Sequence, residues 1–231
     1  FSKINVELER RANSMIGYHV VTGYLGDHRF ELSRPIAQQV RNTLKEHGAQ
    51  TIIAFFDEGS MDDARWHTGH EFMRENYLFL LEKLLANPWL GLVLKPKVPA
   101  SLERRLGPVA ELLRRAKQTG RCYVFETGSL HGSYPPVVAA LSADISIHGH
   151  MAAVTAGMEA ALAGSPTLLL DREGWPVSPL YRLGKGRVVF TDWQSLWNAC
   201  QEHWKTPGGI PGFGDWSSVI DELDPFRDGR A

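Results

Sequence analysis

The chain has 231 residues, 43% of them apolar and 22% charged, with a formal net charge of −1 at pH 7. That size and balance suit one large globular domain with appendages, and they give no electrostatic reason to expect nucleic acid or an anionic membrane as the main partner. No apolar run approaches the roughly 20 residues that cross a bilayer. No signal peptide is visible, and the two cysteines, Cys122 and Cys200, fall inside an expected strand and an expected helix. Buried thiols and a cytoplasmic location are therefore expected. The chain begins at Phe1 and ends at Asp228-Gly229-Arg230-Ala231, which reads as a piece cut from something longer.

Residues 1–50 read as a linker or the remnant of a preceding domain plus one helix. Ile4 to Arg11 is charged, and Tyr18 to Val21 lies between glycines as a short strand or extended connection. Ser33 is placed to cap a helix with Pro35 in its first turn and Ile36, Val40 and Leu44 at helical spacing before Gly48. Residues 51–205 then alternate strand and helix as one Rossmann-like domain. Thr51 to Phe56 is a continuous apolar run, the signature of a central parallel strand covered on both faces. A helix over His70–Ala86 carries Met73, Tyr77, Leu80, Leu81 and Leu84 as its buried stripe and stops at Asn87-Pro88.

Leu90 to Leu94 is the second strand. Ser101 then caps a helix with Leu102, Leu106, Val109 and Leu113 inward, and Arg104, Arg105, Arg114 and Arg115 on a solvated face. Arg121 to Glu126 is the third strand, residues 127–136 a Gly-rich loop, and Val137 to Leu141 a short helix. Strand four holds Ile145 and Ile147 and ends in the corner His148-Gly149-His150; a small-residue helix follows over Met151–Ala163. Leu168 to Leu170 is strand five, Arg187 to Phe190 strand six, and Trp193, Leu196, Trp197 and Cys200 mark a last amphipathic helix. Residues 206–231 read as an irregular tail. Six strands alternating with helices imply an α/β, doubly wound, mainly parallel sheet. Ligands of such sheets bind beyond the strand carboxyl ends at the switch in strand order.

The chain lacks G-x-G-x-x-G after its first strand, a P-loop and a G-x-S-x-G elbow, which argues against dinucleotide, P-loop and α/β-hydrolase sites. His67 with His70, or His148 with His150, lack a second ligand pair at a recognisable spacing, so no metal is expected. The helix after strand four aims free amides at an anion over the sheet edge. Glu159, a lone carboxylate among small apolar residues, is costly there unless paired or facing a ligand. A helix-face ion pair is its competing explanation, and close helix–sheet packing is that of Thr155 and Gly157. Asp57 and Glu58, directly after strand one, are positioned as general base toward an acceptor hydroxyl, or as loop structure. Arg65, Trp66 and His67 form an aromatic-basic loop suited to sugar stacking or to plain packing.

The Lys95-Pro96-Lys97 turn and HGHMAAVTAGMEAALAGSPTLLLD, residues 148–171, resemble the C-terminal, nucleotide-sugar-binding half of GT-B glycosyltransferases. FFDEGSMDDARWHTGHEF, VLKPK and DPFRDGRA are further similar to bacterial surface-carbohydrate and capsule-polysaccharide biosynthesis proteins. The resemblance implies sugar transfer from a nucleotide-activated donor to a glycan or lipid-linked hydroxyl, without metal or cofactor. A second GT-B domain would complete the cleft, and the enzyme would stand in the cytoplasm or peripherally at the inner membrane. It implies that the amides of Val154, Thr155 and Ala156 and the Thr155 hydroxyl hold phosphate, next to Gly157, and that Glu159 holds the ribose. Lys95 would stand near the phosphate or base, with Glu126, Thr127 and Gly128 toward the base and His148, Gly149 and His150 at the binding edge. Where the family carries a second Glu along that stretch, this chain has Thr167. An epimerase of similar fold and a non-catalytic docking module are the alternatives.

Overall fold

The computed structural model describes residues 6, 9–15, 17–18, 20, 22–62, 69–126, 134–151 and 154–226. Six strands, β1 (Thr51–Phe56), β2 (Leu90–Lys95), β3 (Cys122–Val124), β4 (Ile145–His148), β5 (Thr167–Leu170) and β6 (Val189–Phe190), form one sheet in the order 3-2-1-4-5-6. Every neighbouring pair is parallel, with Phe56 of β1 opposite Lys95 on one side and His148 on the other. β1 is therefore central, and its side chains alternate between two cores. Ile53 and Phe55 face one cluster, and Ile52, Ala54 and Phe56 face the other.

The first cluster is closed by α2 (His70–Ala86), α3 (Leu102–Leu106), α4 (Val109–Gln118) and α7 (Trp193–Lys205). In α2 the predicted boundaries hold, and all five residues of the predicted stripe are buried. Its carboxyl end is closed by the buried Arg121, whose guanidinium donates to the carbonyls of Leu84, Asn87 and Leu90. The second cluster lies under α1 (Arg29–Glu46) and α5 (Pro136–Ser142), with Ala160 of α6 (Thr155–Leu162) at its margin. Cys122 and Cys200 are buried free thiols, and burial pushes Cys122 up to about 12. No helix among the described residues is long and apolar enough to cross a membrane.

Four expected elements differ. α1 starts at Arg29, out of a turn in which Arg29 N–H donates to Gly26 and Phe30 N–H to Asp27. Ser33 is thus buried inside the helix instead of capping it, and Pro35 sits in the interior, where it gives up an i→i−4 hydrogen bond and its ring crowds the Glu31 carbonyl. The single helix expected after Ser101 is two, because Gly107 takes φ +55 and Pro108 follows. Ser101 makes no cap; its hydroxyl accepts from Arg105 Nε at 3.1 Å. α6 begins at Thr155 because the Glu173 carboxylate takes the ring of His150 and the N–H of Met151, holding this corner out of the helix.

The fourth is the tail, which is not irregular throughout. It holds α8 (Ser217–Leu223), and Trp216 is buried with its indole N–H donating to the Thr167 carbonyl at 2.9 Å. Thr167 N–H in turn donates to Gly214 at 2.9 Å. A Cβ on Gly214 would stand 2.8 Å from that nitrogen, and its φ of +67 favours glycine independently.

Candidate functional site

β1 and β4 are hydrogen-bonded neighbours whose following connections run to opposite sides of the sheet, so the switch point lies between them. A cavity of about 420 Å³ opens at this carboxyl edge. Asp57 and Glu58 line it from the end of β1, Lys95 and Lys97 from β2, and Thr155, Ala156 and Glu159 from α6. Arg29, Tyr134, Pro135 and Pro136 close it from the α1 and α5 side, which the sequence reading did not anticipate. A hollow of about 490 Å³ lies at the opposite edge, near Pro166 and Trp216. None of its lining residues is basic, while Asp215 and Asp221 line it, so it is ill suited to an anion.

Asp57 is tied into the fold. Its Oδ1 accepts the Lys97 N–H at 2.5 Å, its Oδ2 accepts from the Tyr77 hydroxyl at 3.1 Å, and Arg105 stands 3.8 Å away. Burial pushes its carboxyl above the ordinary range, against the pull of those donors. Arg105 is thus not on a solvated face, as its sequence context suggested. It is buried, with further bonds to Ser60 Oγ at 3.0 Å and the Val98 carbonyl at 3.0 Å. It pins the loops after β1 and β2 to α3, and Ser60 is held from the other side by His70 Nδ1 at 2.8 Å.

Glu58 is set differently. Its Oε2 takes Lys97 Nζ at 2.5 Å, and its Oε1 lies 3.6 Å from His148 Nε2. His148 is fully buried, and its Nδ1 lies 2.9 Å from the His150 carbonyl. The His150 N–H also lies 3.4 Å from that Nδ1, and Nε2 is the nitrogen turned to Glu58. That Nε2 makes no hydrogen bond among the described residues. Burial raises Glu58, but His148 and Lys97 outweigh it and hold the carboxyl below its ordinary range. Lys95 is buried and donates to the Pro96 carbonyl at 3.1 Å; desolvation lowers its pKa, opposed by Asp57 and Glu159.

Glu159 accepts the Val137 N–H at 2.7 Å and a bond from the Tyr24 hydroxyl. Burial pushes its carboxyl upward against these donors, and pushes Tyr24 upward as well. The carboxylate is thus paired within the fold while still lining the cavity.

The other predicted residues divide by location. Thr155 and Ala156 line the cavity, and Val154 is the residue before the helix. Gly149 and Gly157 serve packing: a Cβ would stand 3.0 Å from the Phe55 ring at Gly149 and 3.2 Å from His148 Cβ at Gly157. His150 turns away to Glu173, at 2.8 Å. Glu126 is exposed, pairs with Lys117 at 2.9 Å and lines a separate hollow of about 330 Å³. Thr167 is a buried β5 residue. Thr127, Gly128, Arg65, Trp66 and His67 lie outside the described residues. Among the described residues, no group of three or more His, Cys, Asp or Glu side chains is arranged to hold a metal ion.

No family model matches the chain, and no curated protein matches it in sequence. Among solved structures, it is similar to the N-terminal domain of trehalose-6-phosphate phosphatase from Candida albicans, with a TM-score of 0.43 and 16% identity. The match covers 86% of this chain and 40% of that one.

Proposed function

We propose that this chain is the donor-binding half of a GT-B type glycosyltransferase acting in bacterial surface-polysaccharide assembly. The observation that carries the reading is the cavity at the β1/β4 switch point, where the first turn of α6, Lys95 and Arg29 meet Glu159. The chemistry fits a nucleotide-linked sugar. Amides of a helix start and nearby cations favour a phosphate and the charge it gains as the leaving group departs. A buried carboxylate favours hydroxyl donors, which the ribose supplies. Of the two acids after β1, Glu58 is the better placed to orient an acceptor hydroxyl, since the Asp57 oxygens are taken by Lys97, Tyr77 and Arg105. Glu58 stays ionised, held between Lys97 and His148, and acts by orienting that hydroxyl and balancing charge.

The self-satisfaction of Asp57 and Glu159 favours one other reading, a non-catalytic docking module. Thermal-shift screening with CMP, CDP, UDP, GDP and ADP separates the two. Stabilisation by one nucleotide, lost in Glu159→Ala, is expected for a donor site. No stabilisation by any of them sinks the donor-site reading in favour of the module.

A further inference from the structure

Both oxygens of Glu159 are occupied by the chain itself, and the two bonds differ in kind. Oε1 takes the Val137 N–H, main chain in the first turn of α5, which cannot leave without unwinding that turn. Oε2 takes the Tyr24 hydroxyl, the tip of a side chain 135 positions away on the segment ahead of α1. Tyr24 is seated there by its neighbours. A Cβ on Gly26 would stand 2.8 Å from the Tyr24 ring, so only glycine leaves the ring room. Gly23, with φ +73, lies so close to Asp224 that a Cβ would come within 2.4 Å of its carboxylate. The Phe30 ring stacks 6.1 Å from Tyr24.

A phenol hydroxyl donating to a carboxylate does what a sugar hydroxyl would do in the same place. We propose that the Tyr24 hydroxyl holds the place of a ligand hydroxyl on Glu159, and that a ligand carrying a vicinal diol displaces it. The inference rests on the donor-site reading and adds a selection to it. A ligand offering one hydroxyl exchanges one bond for one and gains nothing. A ribose diol returns two bonds for the one lost, and the Val137 amide keeps the carboxylate aimed while Tyr24 moves aside. Arg29, the first residue of α1, lines the cavity near Glu159.

Calorimetric titration of the full chain tests this, using the nucleotide that stabilises it most and the 2′,3′-dideoxy analogue of that nucleotide. Tyr24→Phe is expected to tighten the ribonucleotide about tenfold, since one hydrogen bond to a charged acceptor is no longer surrendered. The dideoxy analogue, with no diol to present, is expected to be unaffected. Gly26→Ala, which unseats the ring and keeps the hydroxyl, should shift binding the same way and guards against misfolding of the first variant. If wild type binds and neither variant binds the ribonucleotide more tightly, the exchange is wrong and the donor site stands. Equal tightening of both nucleotides also overturns it, marking Tyr24 as a steric lid. Binding by the variants alone supports the exchange, and no binding by any form removes the donor site and the exchange together.

Discussion

Arg105 takes its charge into the interior because two loops supply acceptors that no exposed position offers. Its guanidinium meets Asp57, Ser60, Ser101 and the Val98 carbonyl, and the Asp57 carboxylate is shared with Tyr77 and the Lys97 amide. Removing the arginine leaves a buried carboxylate short of a cation, a change that costs about 3–5 kcal/mol. Arg105→Met is therefore expected to lower stability by that order in urea unfolding, and Asp57→Asn in the same background to recover part of it. Glu58 sets a pH dependence of defined sign. Its folded pKa is depressed, so its contribution to stability is present above the unfolded value near 4.3 and fades as pH falls through the folded value. The stability difference between wild type and Glu58→Gln should hold steady near neutrality and shrink below about pH 4.3. A difference that grows on acidification would contradict the assignment. Asp57 and Glu159, raised by burial, act in the opposite direction.

At the scale of elements, α8 and the turn before it belong to the core. Trp216, 3% exposed, packs with Met151, Leu169, Val188 and Val219 and bonds to β5 through its indole. Trp216→Ala is expected to cost about 3–5 kcal/mol, visible as a lowered midpoint by circular dichroism with the helical signal otherwise kept. A midpoint within a degree of wild type would mean that the tail is only loosely attached. Much of the element order was legible beforehand. The β1 run and the α2 stripe are strong periodic signals, and both elements fall where periodicity places them. Arg105 was not legible, since Glu103-Arg104-Arg105 reads as a charged face until loops from elsewhere arrive. Glu159 stood out because a carboxylate among alanines needs an explanation. Its partner Tyr24 lies 135 positions away, with no local pattern to announce it.

For the molecule as a whole, the order 3-2-1-4-5-6 fixes where the chemistry gathers. The ends of β1, β2 and β4 and the start of α6 meet at one edge although 98 residues separate Asp57 from Thr155. A transferase of the proposed type needs a second surface opposite this edge to hold the acceptor. The chain by itself is expected to bind nucleotide weakly and to release no sugar from a nucleotide donor; measured turnover by the isolated chain would refute that. The contact between Gly23 and Asp224 also makes the path of the polypeptide nearly a closed ring. Joining residues 22 and 226 with a few flexible residues, and opening the chain at the exposed turn around Val177, should return the same sheet in a permuted order. Tyr24 would then lie in a loop held at both ends, its hydroxyl still on Glu159 at the cavity wall.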